Sequence, residues 1–340
     1  MNVLIVGGGG REHALSWKLS KSKDVEKIYI APGNPGTAEV GENVDIKADD
    51  IDGLLKFAKE NDIALTIVGP ELPLTLGIVD IFEAAGLKAF GPSKKAAQLE
   101  GSKAFSKELM AKCNIPTAAY KKFTDADEAS EYVNALDDKT LVIKADGLAA
   151  GKGVIICEGK KEAFEAIELI LTDKEFGEAG SSIVIEEFLL GEEASFLAIT
   201  DGVTVIPLAP AQDHKPIFDD DKGPNTGGMG AYSPAPVLTK ELQEHVMDTV
   251  MIPAVKGMAD DGIPYKGILY AGLMITDDGP KVLEFNCRFG DPEAQPLLLR
   301  LTSDLGELLL KAVNGQLSDV TLEWDPRPAV CVVLSSKGYP

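Results

Sequence analysis

The segment VIKADGLAAGKGV at residues 142–154 places a glycine-rich turn between two short apolar patterns that predict β-strands, at residues 141–144 and 154–157. The turn joins two strands and does not match Gly-x-x-x-x-Gly-Lys-Ser/Thr, so it is not a Walker loop. A hairpin of this composition can fold over a polyphosphate, with N–H groups from the turn and the ammonium of Lys144 from the strand. A flexible surface hairpin is the alternative.

The first hundred residues alternate strand and helix patterns. Apolar β-branched runs predict strands at residues 2–6, 27–31, 65–68 and 88–90. Apolar residues at helical spacing predict helices at residues 11–21, 51–61 and 78–85. This alternation predicts an open parallel α/β sheet, with ligand sites at the carboxyl ends of its strands.

The first predicted strand ends in four glycines, residues 7–10, which is compatible with a dinucleotide-binding loop. A nicotinamide-binding unit also needs an acidic residue at the end of the second strand, and residues 28–32 contain none. The missing acidic residue counts against NAD. An NAD-dependent dehydrogenase is the alternative, and titration with NADH would detect it. The amides of this turn can still hold a phosphate of a smaller ligand.

The rest of the chain follows a different pattern. Helices are predicted at residues 102–113, 161–171 and 240–260, and a strand at residues 182–186. Between residues 187 and 323 we expect longer strands with that one long helix, and an exposed loop at residues 213–230. Residues 329–334 form an apolar strand pattern at the end of the sequence.

Two further stretches carry candidate ligands. Residues 184–193 close a strand into a linker whose main chain can pair with an adenine edge, and Glu193 can reach ribose hydroxyls. In the strand pattern at residues 282–286, Glu284 and Asn286 point to one face, with Arg288 just beyond. Two hard oxygen ligands there suit Mg²⁺ bridging nucleotide phosphates. The alternative for each feature is a solvated polar face.

Charge and composition exclude several functions. The 340 residues include 33 Lys or Arg and 54 Asp or Glu, a net charge of −21. A sequence-independent nucleic-acid binder needs a basic face, and docking on anionic membranes needs basic residues, so neither is expected. No apolar run reaches the roughly 20 residues that span a bilayer. Four widely spaced cysteines are expected to be free thiols in a reducing cytoplasm: Cys113, Cys157, Cys287 and Cys331.

The order of these motifs resembles the ATP-grasp superfamily and, within it, the phosphoribosylamine–glycine ligase family. The matching stretches are residues 9–15, 31–34, 66–71, 99–105, 144–154, 186–196, 212–215, 223–232 and 284–293. The resemblance covers essentially the whole chain. It implies an α/β fold with α+β subdomains, namely an N-terminal open parallel α/β sheet followed by an ATP-grasp fold.

The resemblance also implies the roles of the site residues. For ATP, it implies that Lys103 and Lys144 bind the phosphates and that Gly147, Gly151 and Gly153 form a lid over them. The main chain of Glu187 and Leu189 would contact adenine, with Glu186 beside them. Glu193 would bind the ribose. Glu284 and Asn286 would ligate Mg²⁺ or Mn²⁺, and Arg288 would neutralise the transferring phosphoryl group. Many superfamily members have another acidic ligand on the preceding strand, but residues 270–274 contain no carboxylate.

Substrate contacts are expected around two motifs. Asp213 is predicted to hold the glycine ammonium, and the amides of residues 226–230 to line the substrate phosphate or acyl phosphate. The candidate substrate residues are Gly10, Asp213, His214, Thr226, Gly227, Gly228, Arg288 and Asp291. For His13 and His214 a structural hydrogen bond is the alternative.

The implied reaction joins glycine to 5-phosphoribosylamine through glycyl phosphate, giving glycinamide ribonucleotide, ADP and phosphate. The expected domains are residues 1–100, an ATP-grasp domain at 101–325 with a small lid at 121–186 and a main part at 187–325, and the start of a truncated C-terminal domain at 326–340. We expect a cytoplasmic monomer or weak homodimer with small-molecule partners. The alternatives are a purine-pathway carboxylase or formyltransferase of the same fold and a catalytically silent nucleotide-binding module.

Overall fold

The computed structural model describes residues 1–149, 153–220 and 222–339. Its N-terminal part is a parallel five-stranded sheet in the order β3-β2-β1-β4-β5. The strands are β1 (Asn2–Gly7), β2 (Lys27–Pro32), β3 (Glu42–Asn43), β4 (Ile63–Val68) and β5 (Ala89–Phe90). The helices between them are α1 (Gly10–Leu19), α2 (Ile51–Glu60), α3 (Glu71–Leu76) and α4 (Ile78–Ala84), and a 3-10 helix lies at Thr37–Glu39. The predicted parallel α/β sheet is confirmed.

Two helices lead from this sheet into a small second unit. They are α5 (Gln98–Gly101) and α6 (Lys103–Lys112). The unit has β6 (Tyr120–Phe123), α7 (Ala126–Ala135), β7 (Leu141–Ala145), β8 (Val154–Cys157), α8 (Lys160–Ile167) and β9 (Ile183–Glu187). Its antiparallel sheet has the order β6-β9-β7-β8. The glycine-rich segment therefore does connect two paired strands, β7 and β8.

The third part is the largest. Its elements are β10 (Glu192–Thr200), β11 (Val205–Pro207), β12 (Gln212–Asp213), β13 (Pro216–Phe218), β14 (Lys222–Asn225), β15 (Gly230–Ser233), α9 (Lys240–Val246), α10 (Ile252–Asp260), β16 (Gly267–Thr276), β17 (Gly279–Asn286), α11 (Ala294–Arg300), α12 (Leu305–Val313) and β18 (Ala329–Val332). An antiparallel sheet β11-β10-β16-β17 forms its centre, a second sheet has the order β12-β15-β18, and β13 pairs with β14.

Two expectations about this part need correction. The predicted exposed loop at residues 213–230 contains β13 and β14, and Asp213 at its start is buried. The predicted long helix at 240–260 is confirmed as one continuous helix, in which a π-helical turn at Met247–Met251 joins α9 and α10. Helix α8 likewise continues as a π-helical turn at Glu168–Thr172. Two helices that we did not predict, α11 and α12, follow the main sheet.

Buried apolar residues form three clusters. Two of them combine side chains of the N-terminal sheet with side chains of the β10–β16–β17 sheet, on either side of the N-terminal strands. The small unit has a separate core that includes Phe123, Ile143, Ile170 and Ile185. The first and third parts thus pack as one body, whereas the small unit meets them through the polar groups described below.

Among the described residues, no helix combines the length and hydrophobicity that crossing a membrane requires. The four cysteines are free thiols, as expected. Burial raises the pKa of Cys157 to about 11, with a further contribution from Glu162, so this thiol is protonated at neutral pH.

Candidate active site

The base of the glycine-rich hairpin is fixed to the start of α6 by Asp146. Its Oδ1 accepts hydrogen bonds from Ser102 Oγ at 2.9 Å and from the Ala104 N–H at 2.7 Å. Its Oδ2 accepts one from Ser182 Oγ at 2.8 Å. These bonds join β7, the N-terminus of α6 and the start of β9. The hairpin therefore projects from a rigid base.

Lys103 and Lys144, the two predicted phosphate-binding lysines, lie at this base. Lys103 Nζ donates to the Gly147 carbonyl at 3.3 Å, and Lys144 Nζ donates to the Leu283 carbonyl at 3.1 Å. The pKa of Lys103 is lowered, mainly by burial and also by Lys144, with Glu284 opposing the shift. Mutual repulsion between two buried ammonium groups favours an anionic ligand between them.

The lid glycines are placed in part. The ideal Cβ position at Gly147 lies 2.8 Å from the Cα of Ala179, so no larger residue fits without a backbone shift. The Gly153 carbonyl accepts from the Ala145 N–H at 2.8 Å. Gly151 lies outside the described residues. The role of all three in a lid stays a prediction.

Glu186, expected beside the adenine, is buried between two lysines. Its Oε1 lies 3.1 Å from Lys144 Nζ, and its Oε2 lies 3.0 Å from Lys107 Nζ. The side chain of Glu186 is only 2% exposed. This carboxylate is therefore an internal counter-ion rather than a group at the surface of the cleft.

The linker after β9 offers main-chain groups, as expected for an adenine site. The Glu187 N–H donates to the Ala119 carbonyl at 3.0 Å, so that donor is already used. Among the described residues, neither the N–H nor the carbonyl of Leu189 has a hydrogen-bond partner. Glu193, the predicted ribose ligand, is half exposed and lies 3.2 Å from Lys215 Nζ.

Glu284 and Asn286 lie on the same strand, β17, opposite Gly272 and Tyr270 of β16. No described residue donates a hydrogen bond to the Glu284 carboxylate. Burial would raise its pKa, but four cations lower it more: Lys215, Lys144, Lys103 and Arg288. Glu284 is therefore an anion at neutral pH with its oxygens unoccupied by hydrogen-bond donors of the described chain.

These two side chains fit a divalent metal by the chemistry of their oxygens. Asn286 Oδ1 accepts from Arg288 Nη2 at 3.1 Å, and its second lone pair can serve a metal. Across residues 1–149, 153–220 and 222–339, no group of three or more His, Cys, Asp or Glu side chains is arranged to hold a metal. The donor set is the expected pair, a carboxylate and an amide, with the substrate left to supply further oxygens.

Two acidic side chains orient the guanidinium of Arg288. Its Nη2 lies 2.8 Å from Glu100 Oε1, and its Nε lies 3.5 Å from Glu71 Oε2. Glu100 Oε2 also accepts from the Cys287 N–H at 2.7 Å. Burial raises the pKa of Glu100, and attraction to Arg288 opposes that shift. The guanidinium is held from the side of α3 and α5, and its charge stabilises the Glu284 carboxylate.

The predicted substrate residues fall into two groups, of which one surrounds Asp213. Both Asp213 oxygens contact Lys215 Nζ, at 2.9 and 3.1 Å. Burial lowers the pKa of Lys215, but Asp213, Glu193 and Glu284 raise it, and the net shift is upward. Lys215 therefore links the predicted ribose residue Glu193 to the predicted substrate residue Asp213, and its charge also stabilises the Glu284 carboxylate. The ring of His214 stacks obliquely on Tyr232, with centroids 5.6 Å apart.

The glycine loop beside Asp213 is closed by internal hydrogen bonds. The N–H groups of Thr226, Gly227, Gly228 and Met229 donate to Lys215 O, Tyr339 OH, Thr226 Oγ1 and His214 O, respectively. In this arrangement the four amides are not available to a phosphate, so their predicted role requires the loop to rearrange. Gly228 has φ +118°, and a Cβ there would lie 2.4 Å from Pro292 Cδ, which only glycine tolerates.

The second group is where the N-terminal sheet meets α11. Asp291 Oδ1 accepts from Gln295 Nε2 at 2.7 Å, and its Oδ2 accepts from the Arg11 N–H at 3.3 Å. A Cβ at Gly10 would lie 2.8 Å from Gln295 Nε2. Gly10 and Asp291 are thus neighbours, and their role as substrate residues stays a prediction. His13 lies against Gly36.

Side chains of neighbouring residues already bond the main chain of the glycine turn after β1. The Gly9 N–H donates to Glu12 Oε2 at 2.6 Å, and Asn34 Nδ2 donates to the Gly8 carbonyl at 3.0 Å. Glu12 is buried and also bonds Arg11 Nε. A carboxylate in the position of a pyrophosphate disfavours the dinucleotide interpretation.

Sequence reasoning missed three charged residues of the site: Lys107, Lys215 and Glu100. Lys107 lies one helical turn after Lys103, so the helix prediction already placed both on one face. Lys215 adjoins the predicted Asp213 and His214. Glu100 is within a matching motif, but nothing in its own sequence neighbourhood indicated Arg288 as its partner.

Comparisons with known proteins identify the family and the fold. Residues 1–100 match the family model described as the phosphoribosylglycinamide synthetase N domain, and residues 101–294 match the ATP-grasp (A) domain of the same enzyme. The phosphoribosylamine–glycine ligase of Yersinia pestis is 59% identical over 343 residues, which is 100% of this chain and 80% of that protein. The one from Rhodopirellula baltica is 56% identical over 345 residues, 100% of this chain and 79% of the relative.

Solved structures show the same fold. The phosphoribosylamine–glycine ligase of Thermotoga maritima superposes with a TM-score of 0.83 at 32% identity, covering 100% of this chain and 82% of that one. A second solved structure is the biotin carboxylase domain of Hydrogenobacter thermophilus 2-oxoglutarate carboxylase, in complex with MgADP and bicarbonate. It superposes with a TM-score of 0.76 at 16% identity, covering 97% of this chain and 73% of that one. This likeness concerns the fold alone. The expected ATP-grasp fold is confirmed, and the chain belongs to the phosphoribosylglycinamide synthetase family.

Proposed function

We propose that this protein is an ATP-dependent ligase that joins glycine to 5-phosphoribosylamine in purine biosynthesis. The observation that carries the proposal is that Lys103, Lys144, Lys215 and Arg288 all stabilise the charged form of the Glu284 carboxylate, which no described residue hydrogen-bonds. Such a cluster suits a polyphosphate with a divalent metal. The names and full-chain identity of the relatives support glycine and the sugar amine as the groups joined.

The chemistry follows from the inertness of a carboxylate towards amines. An oxygen of glycine attacks the γ-phosphorus of ATP, ADP leaves, and glycyl phosphate forms. The amine nitrogen of phosphoribosylamine then attacks the carbonyl carbon, a proton leaves that nitrogen, and phosphate departs. Phosphoryl transfer asks the protein mainly for positioning and charge neutralisation, which a site of lysines and an arginine provides without a protein nucleophile.

The chain's own residues divide this work. Lys103 and Lys144 hold the phosphates at the hairpin base, and Leu189 offers its unpartnered main-chain groups to adenine. Arg288, aimed by Glu100, offsets charge on the transferring group. Glu284 and Asn286 would hold Mg²⁺ or Mn²⁺, which when bound supplies positive charge to the phosphate oxygens.

Substrate binding is proposed on the two sides of this cluster. We place the glycine ammonium near Asp213, although Lys215 must share that carboxylate. We place phosphoribosylamine near the second group, with Gly10 and Asp291. The four free thiols support the expected cytoplasmic setting. The monomer or weak homodimer stays a prediction.

The test is the substrate dependence of ADP formation by the purified 340-residue chain. We expect rapid ADP release only when ATP, glycine and freshly formed phosphoribosylamine are present together, with stoichiometric glycinamide ribonucleotide detected by mass spectrometry. Turnover with bicarbonate or formate in place of glycine would assign the protein to a different ligase of the same fold. ATP binding without turnover under any combination would instead indicate a silent nucleotide-binding module.

A further inference from the structure

Lys107 is a buried lysine to which the proposed reaction assigns no role. It lies on α6 one turn after Lys103, and its side chain is 2% exposed. Its Nζ lies 3.0 Å from Glu186 Oε2 and donates to Thr117 Oγ1 at 2.7 Å. The ammonium is enclosed by protein and cannot itself touch ATP.

Glu186 is shared unequally between Lys107 and Lys144. Its Oε1 is 3.1 Å from Lys144 Nζ, yet this oxygen accepts no hydrogen bond from the described residues, so the pairing with Lys144 is electrostatic only. Lys144 directs its observed hydrogen bond to the Leu283 carbonyl instead. One carboxylate between two ammonium groups leaves one unit of positive charge in the cluster.

A second contact links Lys107 to the metal-binding strand. Thr117 Oγ1, which accepts from Lys107, donates to the Val282 carbonyl at 2.6 Å. The Val282 N–H in turn donates to the Pro116 carbonyl at 2.8 Å. Val282 and Leu283 immediately precede Glu284. Lys107, acting through Thr117, and Lys144, acting directly, therefore hold neighbouring carbonyls of the strand that carries the proposed metal ligands.

We propose that Lys107 is a positioning residue for ATP: it neutralises Glu186 from the buried side, so that the charge of Lys144 remains available to the ATP phosphates. Without Lys107, Glu186 and Lys144 would form a neutral pair, and the attraction of Lys144 for phosphate would fall. This inference rests on the proposed ATP site. Burial lowers the pKa of Lys107 to about 8 while Glu186 opposes the shift, so the ammonium form still predominates at neutral pH.

The test compares ATP binding in three variants by titration calorimetry with Mg²⁺ present. Lys107→Met removes the charge and keeps the length of the side chain. The double variant Lys107→Met/Glu186→Gln also removes the carboxylate that would then mask Lys144. Lys112→Met is the control, because Lys112 lies on the same helix but is exposed and pairs with Asp261 at the surface.

We expect Lys107→Met to raise the Kd for ATP at least about tenfold and the KM for glycine less than about twofold. The double variant should recover ATP binding to within about threefold of the wild-type chain, and Lys112→Met should match the wild type. A folded Lys107→Met with unchanged Kd for ATP would overturn the proposal. So would a double variant that binds as weakly as the single one, since a merely structural role predicts no recovery.

The single variant can unfold, because it leaves a buried carboxylate with one partner fewer. The double variant then decides alone: binding more than about tenfold weaker than wild type overturns the proposal, and binding within threefold supports it. Failure of the wild-type chain to bind ATP would contradict the proposed function itself, so the two failures are distinguishable.

Discussion

At the scale of single residues, Glu284 depends on its neighbours for its charge. A buried carboxylate tends to be protonated, yet cations contributed by β7, α6 and the segments after β12 and β17 lower the pKa of Glu284 below its ordinary value. The same cations attract phosphate. Removing the anion should therefore weaken metal binding while leaving the phosphate contacts in place.

We expect Glu284→Gln to reduce turnover at least about 100-fold, equivalent to ~2.7 kcal/mol, because the amide keeps the shape but not the anionic ligand. Raised Mg²⁺ should restore part of the rate. The control is Asp278→Asn, which removes an exposed carboxylate from the β16–β17 turn. Steady-state rates over a range of Mg²⁺ concentrations check this, and near-normal turnover of Glu284→Gln at limiting Mg²⁺ would contradict the metal assignment.

The sequence predicts single residues well where a local period governs them. Alternation along β17 was enough to place Glu284 and Asn286 on one face, and the observed register agrees. It could not reveal that Glu100 aims Arg288 or that Lys215 joins Asp213 to Glu193. Those contacts depend on long-range packing of α5, β12 and β17. The residues next to a charged side chain in the sequence do not indicate which distant residue it will pair with.

At the scale of elements, the hairpin base depends on Asp146. We expect Asp146→Ala to destabilise the chain by about 1–3 kcal/mol, because two serine hydroxyls and the Ala104 N–H lose their acceptor. ATP affinity should fall as well, since the Asp146 side chain fixes the N-terminus of α6, which carries Lys103.

Denaturant unfolding and ATP titration measure these two effects. Ser182→Ala removes only one of the three side-chain bonds and should have a smaller effect on both. An Asp146→Ala chain with unchanged stability and ATP affinity would show that the hairpin is held by other contacts.

Strong local patterns explain which elements could be predicted. The apolar runs of β1, β4 and β9 and the capped start of α6, where Ser102 accepts from the Phe105 N–H, agree with the predictions. The hairpin of β13 and β14 was missed because Pro216, Gly223 and Pro224 weaken any strand pattern. Helix α12 does follow an amphipathic pattern, with Leu305, Leu308, Leu309 and Ala312 buried and Glu307 exposed, so its local signal was present in the sequence and was overlooked.

At the scale of the whole molecule, the sheet order could not be read from the sequence, although the fold class could. The N-terminal strands share two cores with the β10–β16–β17 sheet, so the division at residue 100 and the limits of the lid stay predictions.

The second sheet ends in β18, an edge strand on which Val330 and Val332 are 69% and 72% exposed. Exposed apolar edge strands promote association of chains.

We therefore expect the 340-residue chain to self-associate with rising concentration, and Val332→Lys to suppress this because a lysine on an edge strand opposes pairing with another strand. Turnover should be unchanged, since β18 carries none of the proposed site residues. The control is Val203→Lys, which introduces the same charge at a position that is 90% exposed in the turn between β10 and β11. Sedimentation velocity across the micromolar range measures the effect. Equal suppression by both lysines would implicate net charge rather than the edge, and a wild-type chain that stays monomeric throughout would contradict the prediction.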